Sequence, residues 1–70
     1  MHTNLCTIYQ VFYDTKYHIL EIPVGAKIRL IGKTLLYNGT GYNAESAYYR
    51  KEDAEKYIKK DYTGKNILSA

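Results

Sequence analysis

The chain consists of short runs of strand-forming residues separated by turn residues, and this spacing limits it to a small sheet. Residues 5–13 (LCTIYQVFY) and 17–22 (YHILEI) are rich in β-branched and aromatic side chains, which favour strands. Asp14-Thr15-Lys16 separates them, and further turn signals follow at Pro23-Val24-Gly25 and Asn38-Gly39-Thr40-Gly41. Turns at this spacing predict antiparallel strands.

The segment 17–31 is predicted to be a hairpin. If Pro23-Val24-Gly25 is a three-residue loop with its glycine in the left-handed conformation, one face of the hairpin is apolar. On the other face Glu21 lies opposite Lys27, which pairs a carboxylate with an ammonium group. Beyond the hairpin, Gly32-Lys33 is expected to break or bulge the third strand before it resumes over residues 34–37.

One helix is predicted near the C-terminus, over residues 51–60 (KEDAEKYIKK). Acidic residues lie in its first turn and lysines in its last, which matches the helix dipole. Ala54, Tyr57 and Ile58 recur at helical spacing and form its apolar stripe.

Segment 44–50 has two open interpretations. It is either a helix capped by Asn43 or a strand, and the adjacent Tyr48-Tyr49 slightly favours the strand. Near the end of the chain, Ile67-Leu68 either adds a short edge strand or frays. The sequence therefore predicts one domain over residues 1–70 of the α+β class, a small antiparallel sheet of four or five strands with one C-terminal helix.

The side chains that could carry chemistry are few and scattered. Cys6 is expected to be a small core residue, and with His2 and His18 it cannot complete a zinc site without carboxylates or a second chain. Gly32-Lys33-Thr34 resembles the end of a P-loop but lacks its upstream glycine and its helix. No two carboxylates are spaced for acid–base catalysis. We therefore expect no enzymatic activity, no bound metal and no cofactor.

No membrane association is expected. No apolar run approaches the ~18 residues that a membrane helix needs. The N-terminus MHTNLCTIYQ lacks a basic start followed by an apolar stretch, so no signal peptide is expected. These observations predict a cytoplasmic protein.

Tyrosine accounts for nine of the 70 residues, which indicates either a chain composed mostly of strands, where tyrosine is favoured, or a binding face. If 5–13 pairs with 17–22 across the three-residue turn, one face carries Tyr9, Val11, Tyr13, Tyr17, Ile19 and Ile31. This area is too apolar to stay in water. Either the helix covers it, so that Tyr57 and Ile58 join the core, or another protein or a second copy does. For the second case, the candidate protein-binding residues are Tyr9, Tyr13, Tyr17 and Ile19.

A second candidate surface is basic. Lys27 and Arg29 alternate on one strand face, Lys33 follows, and Tyr17 and Tyr37 could lie beside them. Cations next to aromatic rings can bind single-stranded nucleic acid or a nucleotide by phosphate neutralisation and base stacking. The net charge of +3 and the pI of about 9.0 agree with this alternative.

The whole-chain character is that of a very short intracellular chain, rich in tyrosine and lysine, with one small α+β unit and no catalytic constellation. In this it resembles short phage-encoded proteins that bind and disable a host enzyme or an anti-phage defence complex. The resemblance implies a non-enzymatic inhibitor or regulator in the host cytoplasm, acting by stoichiometric contact with a host or cellular protein. Many such inhibitors mimic DNA with dense acidic surfaces, and the net charge of +3 departs from that pattern. Because so short a chain buries little surface, a homo-oligomer is a further expectation.

Overall fold

The computed structural model describes residues 2–3, 5–60 and 66–68, the first two by their backbone. Along these residues, strands precede one C-terminal α-helix. The elements are β1 His2–Thr3, β2 Ile8–Asp14, β3 Lys16–Ile22, β4 Lys27–Ile31, β5 Thr34–Tyr37, β6 Thr40–Asn43, a 3-10 turn Ala44–Ser46, β7 Ala47–Tyr48 and α1 Lys51–Ile58.

The strands form two antiparallel sheets instead of the one predicted. Sheet I has the order β3-β2-β7, and sheet II has the order β1-β4-β5-β6. Because β1 contributes two residues, three strands make up most of sheet II. The α+β class and the C-terminal helix are confirmed, whereas a single sheet of four or five strands is not what forms.

Sheet I lies between sheet II and α1. Side chains alternate across a strand, so β2 contributes Ile8 to one face and Val11 to the other. The core between the two sheets consists of Ile8, Ile22, Ile28, Leu35, Ala44 and Ala47. The core between sheet I and the helix consists of Val11, Tyr48 and Ala54, with Tyr9, Ile19, Tyr57 and Ile58 packed against it.

The hairpin predicted over 17–31 is wrong, because β3 and β4 belong to different sheets. β3 pairs with β2 along its whole length, and β4 pairs with β1 and β5. Glu21 consequently lies opposite Tyr9 and does not face Lys27. The physical reason is burial: Ile22 and Ile28, on either side of the turn, enter the same core. Two apolar strands that face each other across a core bury more surface than two that share a half-solvated sheet.

The turn between these strands is nevertheless the predicted one. The Ala26 N–H donates to the Pro23 carbonyl at 3.2 Å. Gly25 has a φ of +88°, the left-handed conformation that glycine adopts without strain. The turn reverses the chain direction and carries it from sheet I to sheet II.

The hairpin of β2 and β3 has the predicted register. Tyr13 lies opposite Tyr17 and Val11 lies opposite Ile19. The helix covers part of the face that these residues share, and Tyr57 packs in the core beneath it. Of the two alternatives for this face, cover by the helix is therefore confirmed for its central part. Ile31 is not part of this face, because it belongs to sheet II.

Two further turns join the strands of sheet II. Gly32-Lys33 is a tight two-residue turn that places Ile31 opposite Thr34, so of the two predicted alternatives the strand is broken there and not bulged. Gly32 has a φ of +58°, as a two-residue hairpin turn requires of its first residue. Asn38-Gly39 forms the predicted turn and leads into β6, a strand that the sequence pattern did not indicate.

The helix ends earlier than predicted. It spans 51–58 instead of 51–60, and Lys60 has a left-handed φ of +62° that no helix can continue through. Its predicted apolar stripe is confirmed, since Ala54 is buried and Tyr57 and Ile58 pack on sheet I.

Both interpretations of 44–50 are partly right. Asn43 Oδ1 accepts a hydrogen bond from the Glu45 N–H at 2.9 Å, and this cap starts a single 3-10 turn. β7 follows before α1 begins.

Two expectations near the chain ends are wrong. Cys6 is exposed, because it precedes the first residue of β2 and does not reach the core. Ile67-Leu68 forms a turn and no strand, with the Ile67 N–H donating to the Ala47 carbonyl at 2.9 Å. Residues 65, 69 and 70 of that tail lie outside the described residues.

We predict that stability depends on the core between the sheets. Leu35 is fully buried and lies opposite Leu30, which is 38% exposed. Leu35→Ala should lower the free energy of unfolding by about 2–5 kcal/mol. The matched Leu30→Ala change should cost less than about 2 kcal/mol, because water already reaches this side chain. Urea denaturation measures both, and equal losses would contradict the two-sheet core.

Candidate functional site

A groove lined by aromatic rings opens beside the end of the β2–β3 hairpin. It encloses about 340 Å³. We call it the aromatic groove, and its lining is Val11, Phe12, Tyr13, Tyr17, Gly41, Tyr42, Asn43, Ser46 and Tyr57. None of these lining side chains is charged.

The rings in the groove contact one another edge to face. The ring centroid of Tyr17 lies 5.1 Å from that of Tyr13 and 6.4 Å from that of Tyr57. On the other wall Phe12 meets Tyr42 at 5.6 Å. Such contacts hold each ring in a fixed orientation. Tyr13 is nevertheless 66% exposed and Tyr17 is 37% exposed, so their ring surfaces remain accessible to a partner.

One edge of β2 is only partly paired. β7 pairs with it at Tyr9 and at the next residue. The backbone of Ala47 points away from β2, because its N–H donates to the Ala44 carbonyl and its own carbonyl accepts from the Ile67 N–H. In an antiparallel pair of strands, hydrogen-bonded and non-hydrogen-bonded residue pairs alternate. Because Ala47 does not bond to β2, its pair with Gln10 is the non-hydrogen-bonded one, and Tyr9 with Tyr48 is the hydrogen-bonded pair.

The same alternation places backbone groups of β2 in the groove. Every second residue directs its N–H and carbonyl to the same side, so Val11 and Tyr13 follow Tyr9. The hydrogen bonds of the Val11 carbonyl are consistent with this direction, since it accepts from Ser46 Oγ at 3.3 Å and from Gln10 Nε2 at 3.0 Å. No strand in the described residues pairs with Tyr13 on this side. Its N–H and carbonyl therefore face the groove.

The opposite wall is β6, whose outer edge is also open in the described part of the chain. The Ala44 N–H donates to the Lys33 carbonyl at 2.9 Å, which fixes the alternation along this strand. Asn43 and Gly41 therefore direct their backbone groups away from β5 and toward the groove. Two strand edges from different sheets thus border the same groove.

A buried hydrogen-bond cluster closes one end of the groove. Gln10 is fully buried, and its Nε2 donates to the carbonyls of Val11 and Asn43 at 3.0 and 2.7 Å. Ser46 Oγ lies 3.3 and 3.1 Å from the same two carbonyls. We call these four groups the polar clamp. It joins β2 of sheet I to β6 of sheet II, and Gln10 Oε1 is buried without a partner.

The predicted protein-binding residues divide into two pairs. Tyr13 and Tyr17 lie on the aromatic groove. Tyr9 and Ile19 pack beneath α1 and are partly buried. The structure brings the first pair together at an accessible surface and assigns the second pair to the core under the helix.

The four predicted basic-site residues do not meet. Lys27 and Arg29 point outward from β4 and line a second groove of about 290 Å³ with Leu36 and the Asn38-Gly39 turn. Arg29 lies opposite Leu36, so the neighbouring Tyr37 points to the other face, where it packs against the core.

Lys33 lies at the far end of the same hairpin. Its Nζ is 3.7 Å from Glu45 Oε2. Within the described residues, neither Lys27 nor Arg29 has an ion pair. The outer face of sheet II therefore carries two unpaired cations and no aromatic ring from Tyr17 or Tyr37.

Several residues of the groove were not anticipated from the sequence. Gln10 gave one signal: it lies between Ile8 and Phe12 on the apolar face of a strand, where a polar residue needs partners. Tyr42 gave none, because its strand was not recognised. Phe12 and Tyr57 looked like ordinary core residues.

The side chains considered for chemistry are not assembled into a catalytic or metal site. In residues 5–60 and 66–68, no group of three His, Cys, Asp or Glu side chains could hold a metal ion. The ring of His18 stacks on Phe12 at 5.1 Å, and its Nε2 lies 3.3 Å from the Asp14 carbonyl oxygen. The side chain of His2 lies outside the described residues.

Comparison of the chain with protein-family models, with curated proteins and with solved structures finds no match. In the part of the chain that the structure describes, no helix has the length and the apolar composition needed to span a bilayer.

We predict that the polar clamp tolerates loss of its amide better than introduction of a charge. Gln10→Met removes two hydrogen bonds but also the unpartnered Oε1, and should cost about 1–2 kcal/mol of unfolding free energy. Gln10→Glu sets a carboxylate against two carbonyl oxygens and should cost more than about 3 kcal/mol. Thermal and urea unfolding at neutral pH measure the difference. If Gln10→Glu is as stable as the wild type, the clamp is not formed as described.

Proposed function

We propose that the protein is a non-enzymatic binding module that acts by stoichiometric contact with another protein. The contact is the aromatic groove, and the occupant is an extended, uncharged segment of the partner. One observation carries this proposal: a groove without charged side chains runs beside the N–H and carbonyl of Tyr13, with which no strand of the described residues pairs on that side.

The chemistry of the groove favours a peptide segment. An unpaired strand edge needs a donor and an acceptor at strand spacing, and the backbone of an extended chain supplies both. Alternate side chains of such a segment would contact the rings of Tyr13, Tyr17 and Tyr57. A volume of about 340 Å³ is suited to a short stretch and to no larger element.

The lining also favours binding over catalysis. The groove lining contains serine and tyrosine hydroxyls but no histidine, carboxylate, lysine or cysteine, so it offers no adjacent base of the kind that activates a hydroxyl nucleophile. Tyrosine and phenylalanine supply rigid contact area at low entropic cost.

The more specific role is that of an inhibitor or regulator of a host or cellular protein in the cytoplasm. It rests on the resemblance of the whole chain to short phage-encoded inhibitors. A stoichiometric binder of this kind needs an accessible groove and no reaction of its own.

Capture experiments from bacterial lysate test the proposal. Immobilised wild-type protein should retain one partner at near-stoichiometric amount, and nuclease treatment should not change it. The double change Tyr13→Ala and Tyr17→Ala should weaken binding of the purified partner by about 30-fold or more for each ring lost at a hot spot. Titration calorimetry measures the affinity.

The matched control is a pair of exposed residues away from the groove. Tyr49 is 49% exposed and Ile31 is 53% exposed, and neither lines the aromatic groove. Tyr49→Ala with Ile31→Ala should leave partner binding unchanged, and circular dichroism should show both double variants folded. The proposal is overturned if the groove variant binds the partner as tightly as the control.

A second candidate function is binding of single-stranded nucleic acid or a nucleotide. The observation in its favour is that Lys27 and Arg29 line one groove, with no acidic residue among the residues lining it. Without Tyr37 on that face, the affinity would come from phosphate neutralisation and not from base stacking.

We predict weak, salt-dependent binding if this second function exists. Arg29→Ala with Lys27→Ala should remove two phosphate contacts and reduce the slope of log affinity against log salt by about 1.4 for a single strand. Fluorescence anisotropy with a labelled oligonucleotide measures both quantities. Loss of Lys33, which pairs with Glu45, should change the slope less. Wild-type binding that is undetectable at low salt would exclude the function.

A further inference from the structure

The outer edge of β3 is open along its seven residues, and no strand in the described part of the chain pairs with it. Because Val11 and Tyr13 direct their backbone groups toward β7 and the groove, the residues between and beside them bond to β3. The alternation then assigns Tyr17, Ile19 and Glu21 to the outer edge. Each presents one N–H and one carbonyl to whatever lies beside the strand.

This edge has few of the features that usually protect a sheet from pairing. Soluble proteins block edge strands with proline, bulges, charged side chains or a covering element. β3 has the sequence KYHILEI, with its charged residues Lys16 and Glu21 near its two ends and none between them. Its pairing with β2 is continuous, so it contains no bulge.

We propose that this edge pairs antiparallel with the same edge of a second copy of the chain. In the register of greatest overlap Ile19 lies opposite Ile19 of the second copy, and Tyr17 lies opposite Glu21 of the second copy. The three outward N–H groups of each strand then find carbonyl partners, which makes six backbone hydrogen bonds in all.

The strand is complementary to itself in charge and in the faces it presents. A two-fold axis perpendicular to the sheet keeps each face on the same side, so Ile19 meets Ile19 beside the two helices. On the opposite face Lys16 lies opposite Ile22 of the second copy. No like charges are opposed, and the product is a continuous sheet of six strands. A chain of 70 residues gains from such an interface, because small domains bury little surface alone.

The free backbone groups of the dimer edge and those of the aromatic groove point to opposite sides of the β2–β3 hairpin, although Tyr17 belongs to both surfaces because its ring lines the groove. The N–H of Tyr13 points away from β3, and the N–H of Glu21 points away from β2. A proline at either position removes one outward N–H and leaves the β2–β3 ladder intact, as edge positions allow. The two surfaces can therefore be tested separately, and this inference does not rest on the proposed function.

Sedimentation equilibrium of the full chain from micromolar to millimolar concentration tests the dimer. The wild type should shift from 8.1 kDa to twice that mass as its concentration rises. Glu21→Pro should weaken the dimer by about tenfold or more, because two of the six hydrogen bonds are lost by symmetry. Glu21→Ala, which keeps the N–H, and Tyr13→Pro, which acts at the other edge, should dimerise like the wild type.

Amide hydrogen exchange of the wild type keeps the proposal testable if the proline variants do not fold. The N–H groups of Tyr17, Ile19 and Glu21 should exchange more slowly at high protein concentration, and that of Tyr13 should not change. A mass of 8.1 kDa at every concentration overturns the proposal. So does a dimer that Tyr13→Pro dissociates and Glu21→Pro does not, which would place the contact at the groove.

Discussion

The polar clamp is the interaction that fixes where β2 of sheet I meets β6 of sheet II, and the position of the aromatic groove depends on it. The carbonyls of Val11 and Asn43 belong to different sheets, and they share the donors of Gln10 and Ser46. Buried carbonyls without donors are costly, so this pairing fixes how β2 and β6 approach each other. It also ends the pairing of β2 with β7, because Ser46 occupies the edge where the next residue of β7 would bond. Beyond the clamp, the facing edges of β2 and β6 pair with no other strand in the described residues, and the aromatic groove lies between them.

Element lengths explain why the groove stays accessible. The eight residues of α1 span roughly 12 Å, whereas the seven residues of β2 span roughly 23 Å. A helix that starts beside β7 covers Tyr9, Val11 and Ile19, and at the hairpin end it contacts the Tyr17 ring through Tyr57 in its last turn. Tyr13 is left 66% exposed. Both interpretations of the tyrosines therefore apply, to different residues: Tyr48 is a core residue, and Tyr13 is a surface ring.

Local patterns predicted what depends on neighbouring residues. The register of β2 with β3 follows from one turn, and the apolar stripe of α1 follows from helical spacing. The hairpin over 17–31 failed because turn residues specify a reversal of direction, and a reversal is compatible both with pairing in one sheet and with crossing to another. Only the burial of Ile22 and Ile28 in one core distinguishes the two. The groove could not be predicted from the sequence, because it combines residues from β2, β6 and α1 and no spacing in the sequence relates these elements.

The two edges of the β2–β3 hairpin have different chemical characters, which argues for different occupants. At the groove, the backbone groups of one residue, Tyr13, lie among aromatic rings that would contact the partner's side chains. Affinity there therefore depends on the partner's sequence. At the outer edge, three residues present backbone groups and few large exposed side chains lie beside them. Pairing there therefore depends on the length of the partner strand and on the order of its charges. The same strand of a second copy matches in both respects. A dimer through β3 would place two grooves on one sheet. Two linked grooves bind a target that offers two segments far more tightly than either does alone, provided that the spacing allows both to engage.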